Sequence, residues 1–119
     1  MKILFIQLPL LDHAHSYIQG NIEYAPATLS AYIKKRISAS VAVEFLPCLI
    51  SNFASNEMIL RYIQSLNPDI VCFTNYLWNL ERHLHLARDI ASRMSGVRIM
   101  CGGPEIATGS YAFAHAHPE

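Results

Sequence analysis

The residues able to do chemistry concentrate in three short segments. One is Gly102-Gly103-Pro104-Glu105. Adjacent glycines let a backbone approach a ligand closely and supply positive φ where a turn needs it. A tight turn with no ligand uses the same residues. The second is Thr74-Asn75-Tyr76-Leu77-Trp78-Asn79. Thr74 and Asn75 can hydrogen-bond ribose, phosphate or amide groups, and Tyr76 and Trp78 can stack on a flat ring. The competing reading has Asn75 or Asn79 capping a helix and Trp78 packing inward. The third runs from Pro9 to Tyr24 and holds Asp12, His13 and His15. His13 and His15 are the candidate metal ligands, against the alternative of surface loop histidines.

The other histidines offer less. His83 and His85 stand two apart in a helical stretch, point to different sides and are expected to be solvated. His115 and His117 lie in the stretch 110–119, an expected disordered tail. The three cysteines, Cys48, Cys72 and Cys101, are widely spaced, with no Cys-x-x-Cys or iron–sulfur pattern. A reducing, cytoplasmic setting is the expectation. Phosphate-cradling glycine loops and the Gly-x-Ser-x-Gly elbow are absent, and no acidic residue ends the third apolar run. Nine basic residues balance nine acidic ones, so no field draws nucleic acid or anionic lipid. No apolar run reaches the roughly 18 residues of a membrane span.

Elements that position these segments follow from the apolar runs. Ile3 to Leu8, stopped by Pro9, reads as a buried first strand, not a signal peptide. Pro26 suits a first helical turn, and Leu29, Tyr32, Ile33 and Ile37 recur at helical spacing. Val41 to Leu46 is a second strand. Ser55 is an N-cap for a helix with the stripe Ile59, Tyr62, Ile63 and Leu66, ended by Asn67-Pro68-Asp69. Asp69 to Thr74 is a third strand. The next helix, about Asn79 to Ser95, is read with Leu80, Leu84, Ala87, Ala91 and Met94 inward, and Gly96 ends it. Val97 to Cys101 is a fourth strand.

Apolar strands alternating with helices predict a doubly wound, flavodoxin-like (Rossmann-like) parallel α/β sheet in one domain, 1–119. The pattern stops near four strands, expected in the order 2-1-3-4, so a fragment of a longer protein is expected. Ligands of such sheets bind beyond the strand carboxyl ends where strand order reverses, and the three segments above are the loops there. Without a fifth strand, Val97 to Cys101 becomes an apolar edge, and a homodimer through it is expected.

Pro68-Asp69-Ile70-Val71, then Thr74 to Trp78, a helix, and Val97 to Glu105 ending in Gly-Gly-Pro-Glu resemble one known family. It is the amino-terminal cobalamin (vitamin B12)-binding domain of radical S-adenosylmethionine enzymes. Met1 to Ile6 with Pro9, and Tyr24 to Leu29, fit the same pattern. The resemblance implies cobalamin with its nucleotide tail detached from cobalt and inserted beside the sheet. Thr74, Asn75 and Tyr76 would then meet the tail or corrin edge. Gly102, Gly103 and Pro104, with Glu105 beside them, would meet the tail nucleotide, and the loop with Pro9, Asp12 and His13 would lie near the lower corrin face. Asp12-His13-Ala14-His15 departs from the Asp-x-His-x-x-Gly motif that supplies a histidine to cobalt in many cobalamin domains.

The 4Fe-4S cluster and S-adenosylmethionine would belong to a catalytic radical domain of the parent chain, which has a Cys-x-x-x-Cys-x-x-Cys motif not found in this sequence. The function expected is a cobalamin-binding module, not catalytic alone, with methyl transfer the reaction the resemblance suggests for the parent enzyme. Two alternatives stand beside it: a cofactor-free domain packing on a catalytic partner, which the 52% apolar content and the missing fifth strand fit almost as well, and a flavin-binding flavodoxin-like domain.

Overall fold

The computed structural model describes residues 1–10, 23–37 and 40–107. Four strands, β1 (Lys2–Ile6), β2 (Ala42–Phe45), β3 (Ile70–Thr74) and β4 (Arg98–Gly102), form one parallel sheet in the order β2-β1-β3-β4. The predicted α/β topology is the one observed. Asp12, His13, His15 and the stretch 110–119 lie outside the described residues.

Strand β1 is the centre of the fold. It pairs with β2 through Leu4↔Glu44 and with β3 through Leu4↔Val71, so both its edges are hydrogen-bonded. Successive side chains point to opposite faces, and on β1 both faces are buried. Leu4, Ile6 and Leu8 enter the larger core with Val71, Phe73, Ile59, Ile63, Leu86 and Ile90. Ile3 and Phe5 join Ile70 in a smaller core on the other face.

Helices α3 (Asn56–Leu66) and α4 (Leu80–Arg93) cover the larger core. Ser55 caps α3 as its residue type predicts, with Oγ accepting the Met58 N–H at 3.3 Å. Helix α4 is turned from its expected phase. Its buried residues are His83, Leu86 and Ile90; of the expected stripe, Ala87 and Met94 pack against the larger core, Leu80 and Leu84 are half-buried and Ala91 is exposed. The true inward face contains a histidine, which a count of apolar residues passes over. Asn79 stands at the N-cap position, but its side chain makes no cap bond.

Helix α1 (Tyr24–Arg36) covers the smaller core and is also turned from its expected phase. Its buried residues are Pro26 and Ser30, with Ile33 half-buried; Leu29, Tyr32 and Ile37 are exposed. The helix meets the sheet through Pro26, Ser30 and the expected Ile33, and leaves Leu29 and Tyr32 outside. Two short helices complete the described chain: α2 (Cys48–Phe53), which has no sequence periodicity to announce it, and α5 (Pro104–Ala107). In α2 the inward residues are Ser51 and Asn52, while Leu49 and Phe53 are exposed.

These two kinds of position should differ sharply on truncation. Ile63→Ala removes a fully buried side chain and should cost about 2–5 kcal/mol in chemical denaturation. Leu29→Ala, at an exposed position, should stay within about 0.5 kcal/mol of the parent.

Candidate functional site

A groove of about 410 Å³ opens at the carboxyl ends of β1, β3 and β4, on the α1 side of the sheet. Register builds its floor. Phe5 pairs with Cys72 and Cys72 with Met100, so these three side chains form one row across three strands. The next row toward the carboxyl ends is Thr74 beside Gly102. Ala25 and Leu29 of α1 close one side, and Tyr76, Gly103 and Pro104 form the rim.

No charged side chain lines this groove among the described residues. Burial, and the neighbouring Cys101, push the Cys72 thiol up to about 11, so it stays protonated and neutral. Burial also raises the Cys101 thiol, against a smaller downward pull from Asn75. Both cysteines thus behave as small apolar residues at neutral pH. Glu23, just before α1, has a carboxyl pushed up to about 7 by burial.

The two glycines of the Gly102-Gly103 turn have separate roles. A Cβ added at Gly102 meets nothing within 4 Å, so its bare Cα leaves the groove open. Gly103 has φ +105°, and an added Cβ would fall 2.7 Å from the Asn75 nitrogen and closer still to its carbonyl oxygen. Gly103 therefore serves the packing of two loops, and only Gly102 provides the open approach expected of both.

The segment after β3 divides in the same way, by strand alternation. Thr74 and Tyr76 line the groove. Asn75, expected at the ligand, instead turns to the opposite side, is fully buried, and places Oδ1 2.8 Å from His83 Nδ1. Trp78 is half exposed and stacks on Tyr76, with centroids 4.6 Å apart and planes 4° from parallel. Pro9 is buried and is not part of the groove wall. Glu105 is half-buried in the first turn of α5, also outside the wall, and its N–H reaches the Asn75 carbonyl at 3.5 Å.

Behind the groove lies a polar cluster that the sequence reading missed. His83, expected in solvent, is only 1% exposed. Its Nε2 accepts the Leu8 N–H at 3.3 Å, so Nδ1 carries the ring proton and donates to Asn75 Oδ1. Asn79 Nδ2 donates to the carbonyls of Leu8 (2.9 Å) and Thr74 (3.3 Å), while its Oδ1 accepts the Tyr76 N–H (2.8 Å). The four-residue spacing of Asn75, Asn79 and His83 was the available signal. Burial, then the nearby Arg82 charge, lower the His83 pKa to about 3 and keep the ring neutral.

Two outcomes follow. Gly103→Ala should destabilise the domain by about 1–3 kcal/mol or more, through positive φ and the clash with Asn75, whereas Gly102→Ala should leave stability unchanged in the same denaturation experiment. The second concerns pH. A histidine held neutral when folded lets the unfolded chain bind the extra proton below its ordinary pKa of about 6.5. Its contribution is complete above that pH and fades as pH falls toward 3, by up to about tenfold in the folding equilibrium per pH unit. Glu23 acts in the opposite sense between about 4.5 and 7, since its raised pKa favours the folded state as pH falls. Denaturation curves of the parent and His83→Gln, subtracted at each pH, should show the histidine contribution alone.

No curated protein matches the chain significantly. The model of a protein family, the B12 binding domain, matches residues 25–116, a span that includes α1 from its second residue, the whole floor of the groove except Phe5, and both exit loops of β3 and β4. With the four parallel strands in the order 2-1-3-4 and the crevice at their carboxyl ends, this shows that the chain belongs to the B12-binding domain family.

Proposed function

We propose that the groove takes the nucleotide tail of cobalamin, and that the chain is the cobalamin module of a radical S-adenosylmethionine enzyme, one that transfers methyl groups. The observation carrying the first part is the open space at Gly102 beside the Phe5–Cys72–Met100 row. A flat apolar base needs an uncharged slot with a bare backbone wall, and these residues fit that need. The volume of about 410 Å³ lies within the roughly 300–1,000 Å³ usual for small-molecule sites.

When bound, cobalamin supplies a transferable cobalt–carbon bond, chemistry that belongs to the cofactor. The chain's own residues bind and orient. Phe5, Cys72 and Met100 give the base an apolar floor, and Leu29 of α1 covers it from the side. Thr74 offers a hydroxyl at the next row, where the ribose of the tail would follow. Gly102 admits the tail, and the Tyr76–Trp78 stack stands at the mouth as an aromatic wall. At neutral pH the protonated thiols keep charge out of the slot.

The radical-enzyme parent is supported by the resemblance of Asn67-Pro68-Asp69-Ile70-Val71 and Gly102-Gly103-Pro104-Glu105 to that family. Leu10, Leu77 and Trp78 are exposed at or beyond the strand carboxyl ends, which suits a rim that meets a catalytic domain above the cofactor.

The test is retention of hydroxocobalamin through gel filtration, read by its visible spectrum. The parent domain should carry the corrin, and Gly102→Val should lose it while circular dichroism stays unchanged. A folded parent that retains no corrin overturns the cobalamin reading. A gene whose downstream sequence lacks Cys-x-x-x-Cys-x-x-Cys overturns the radical-enzyme reading alone.

A further inference from the structure

We propose that His83 and Asn75 are a buried positioning pair that sets the β1 exit against the Gly102-Gly103 turn, and so fixes the shape of the groove mouth. The ligand named in its test rests on the cobalamin reading; the geometry does not.

Backbone pairing between β1 and β3 ends at Ile6↔Phe73. Two residues on, both polar groups of Leu8 are held by side chains from the start of α4: the N–H by His83 and the carbonyl by Asn79. These side chains extend the ladder where no backbone partner remains. Asn75 then joins the β4 exit to the same point. Its N–H donates to the Gly102 carbonyl at 2.7 Å, and Gly103 packs directly on its backbone. Its side chain accepts from His83. The exits of β1, β3 and β4 therefore meet at one histidine–asparagine contact.

Neither His83 nor Asn75 lines the groove, so neither acts by touching the ligand. Their bonds also have a direction. Nε2 must accept and Nδ1–H must donate, which only one neutral tautomer of the ring does. Asn75 Oδ1 must therefore face His83, which leaves the buried Nδ2 with only the Cys101 thiol, a weak acceptor, to act on. His83 is the strong partner of this buried amide, and so decides which way the amide faces.

Positioning and simple packing predict opposite rankings of two variants. His83→Phe keeps the ring volume and the contact with Phe73, whose ring centroid is 4.9 Å away, but removes both bonds. His83→Gln loses the ring yet keeps an acceptor and a donor. Visible titration with hydroxocobalamin should show His83→Phe weakened by about tenfold or more, the scale of a lost buried hydrogen bond, and His83→Gln within about threefold of the parent. Amide hydrogen exchange at Leu8 should accelerate in His83→Phe and return toward the parent rate in His83→Gln. The reverse ranking, or parent-like behaviour of both, overturns the proposal.

If the folded parent takes up no hydroxocobalamin, the cobalamin reading alone fails, and Leu8 exchange with the Gly102 and Gly103 amide shifts of the free protein still decides this one. These signals must move in His83→Phe and recover in His83→Gln. Should His83→Phe fail to fold, Asn75→Ser replaces it. Exchange should then accelerate at Leu8, which Asn75 reaches through His83; an unchanged Leu8 rate overturns the pair.

Discussion

A parallel sheet whose central strand is paired on both edges must release its backbone somewhere, and here the release point is Leu8. Up to Ile6 the peptide groups of β1 belong to the ladder. Beyond it the chain is still buried, with Gln7, Leu8 and Pro9 all out of solvent. Buried peptide groups need partners. The side chains of His83 and Asn79 provide them for Leu8, and that requirement explains why a helix otherwise packed by Leu86 and Ile90 begins with two buried polar residues. These bonds close the wall behind the crevice at the switch between β1 and β3.

From that wall the site divides into two halves with opposite chemistry. On the α3 and α4 side, polar side chains bond to each other and to exit-loop backbone. On the α1 side, the Phe5–Cys72–Met100 row offers an apolar slot without charge. The alternation of Thr74, Asn75 and Tyr76 assigns neighbours to opposite halves. The same division separates Gly102, open to the slot, from Gly103, closed against Asn75. A loop that reads as one ligand-binding motif is therefore part contact surface and part fastening.

The sequence made some of this legible. Strand identity and order were readable because the runs at Ile3 and Ile70 are apolar at nearly every position, as strands buried on both faces must be. Ser55 and the Ile59 and Ile63 stripe were readable because local chemistry and helical period agree there. Phase failed where the inward face is not the apolar one. Helix α1 turns Pro26 and Ser30 inward and leaves Leu29 and Tyr32 outside, while α4 turns His83 inward. Neither choice follows from side-chain polarity. One depends on how closely a helix approaches a small core, the other on a backbone N–H that lies 75 residues away. The groove floor was hidden for a related reason. Phe5, Cys72 and Met100 share nothing in sequence and become neighbours only through strand register.

That floor also sets what the site can recognise. Burial holds the two thiols protonated and the His83 ring neutral, so the interior around the strand ends has no ionised group from any of them near pH 7. A slot of this kind cannot select its ligand by charge. It selects by shape, by the width left at Gly102 and by the depth of the apolar row below it. Shape selection requires walls that do not yield, since a mobile wall accepts many ligands equally. The rim of the slot leaves the strands at the Gly102-Gly103 turn, where β4 ends. The bonds of Asn75 to that turn and to His83 are therefore as much a part of recognition as the residues that face the ligand.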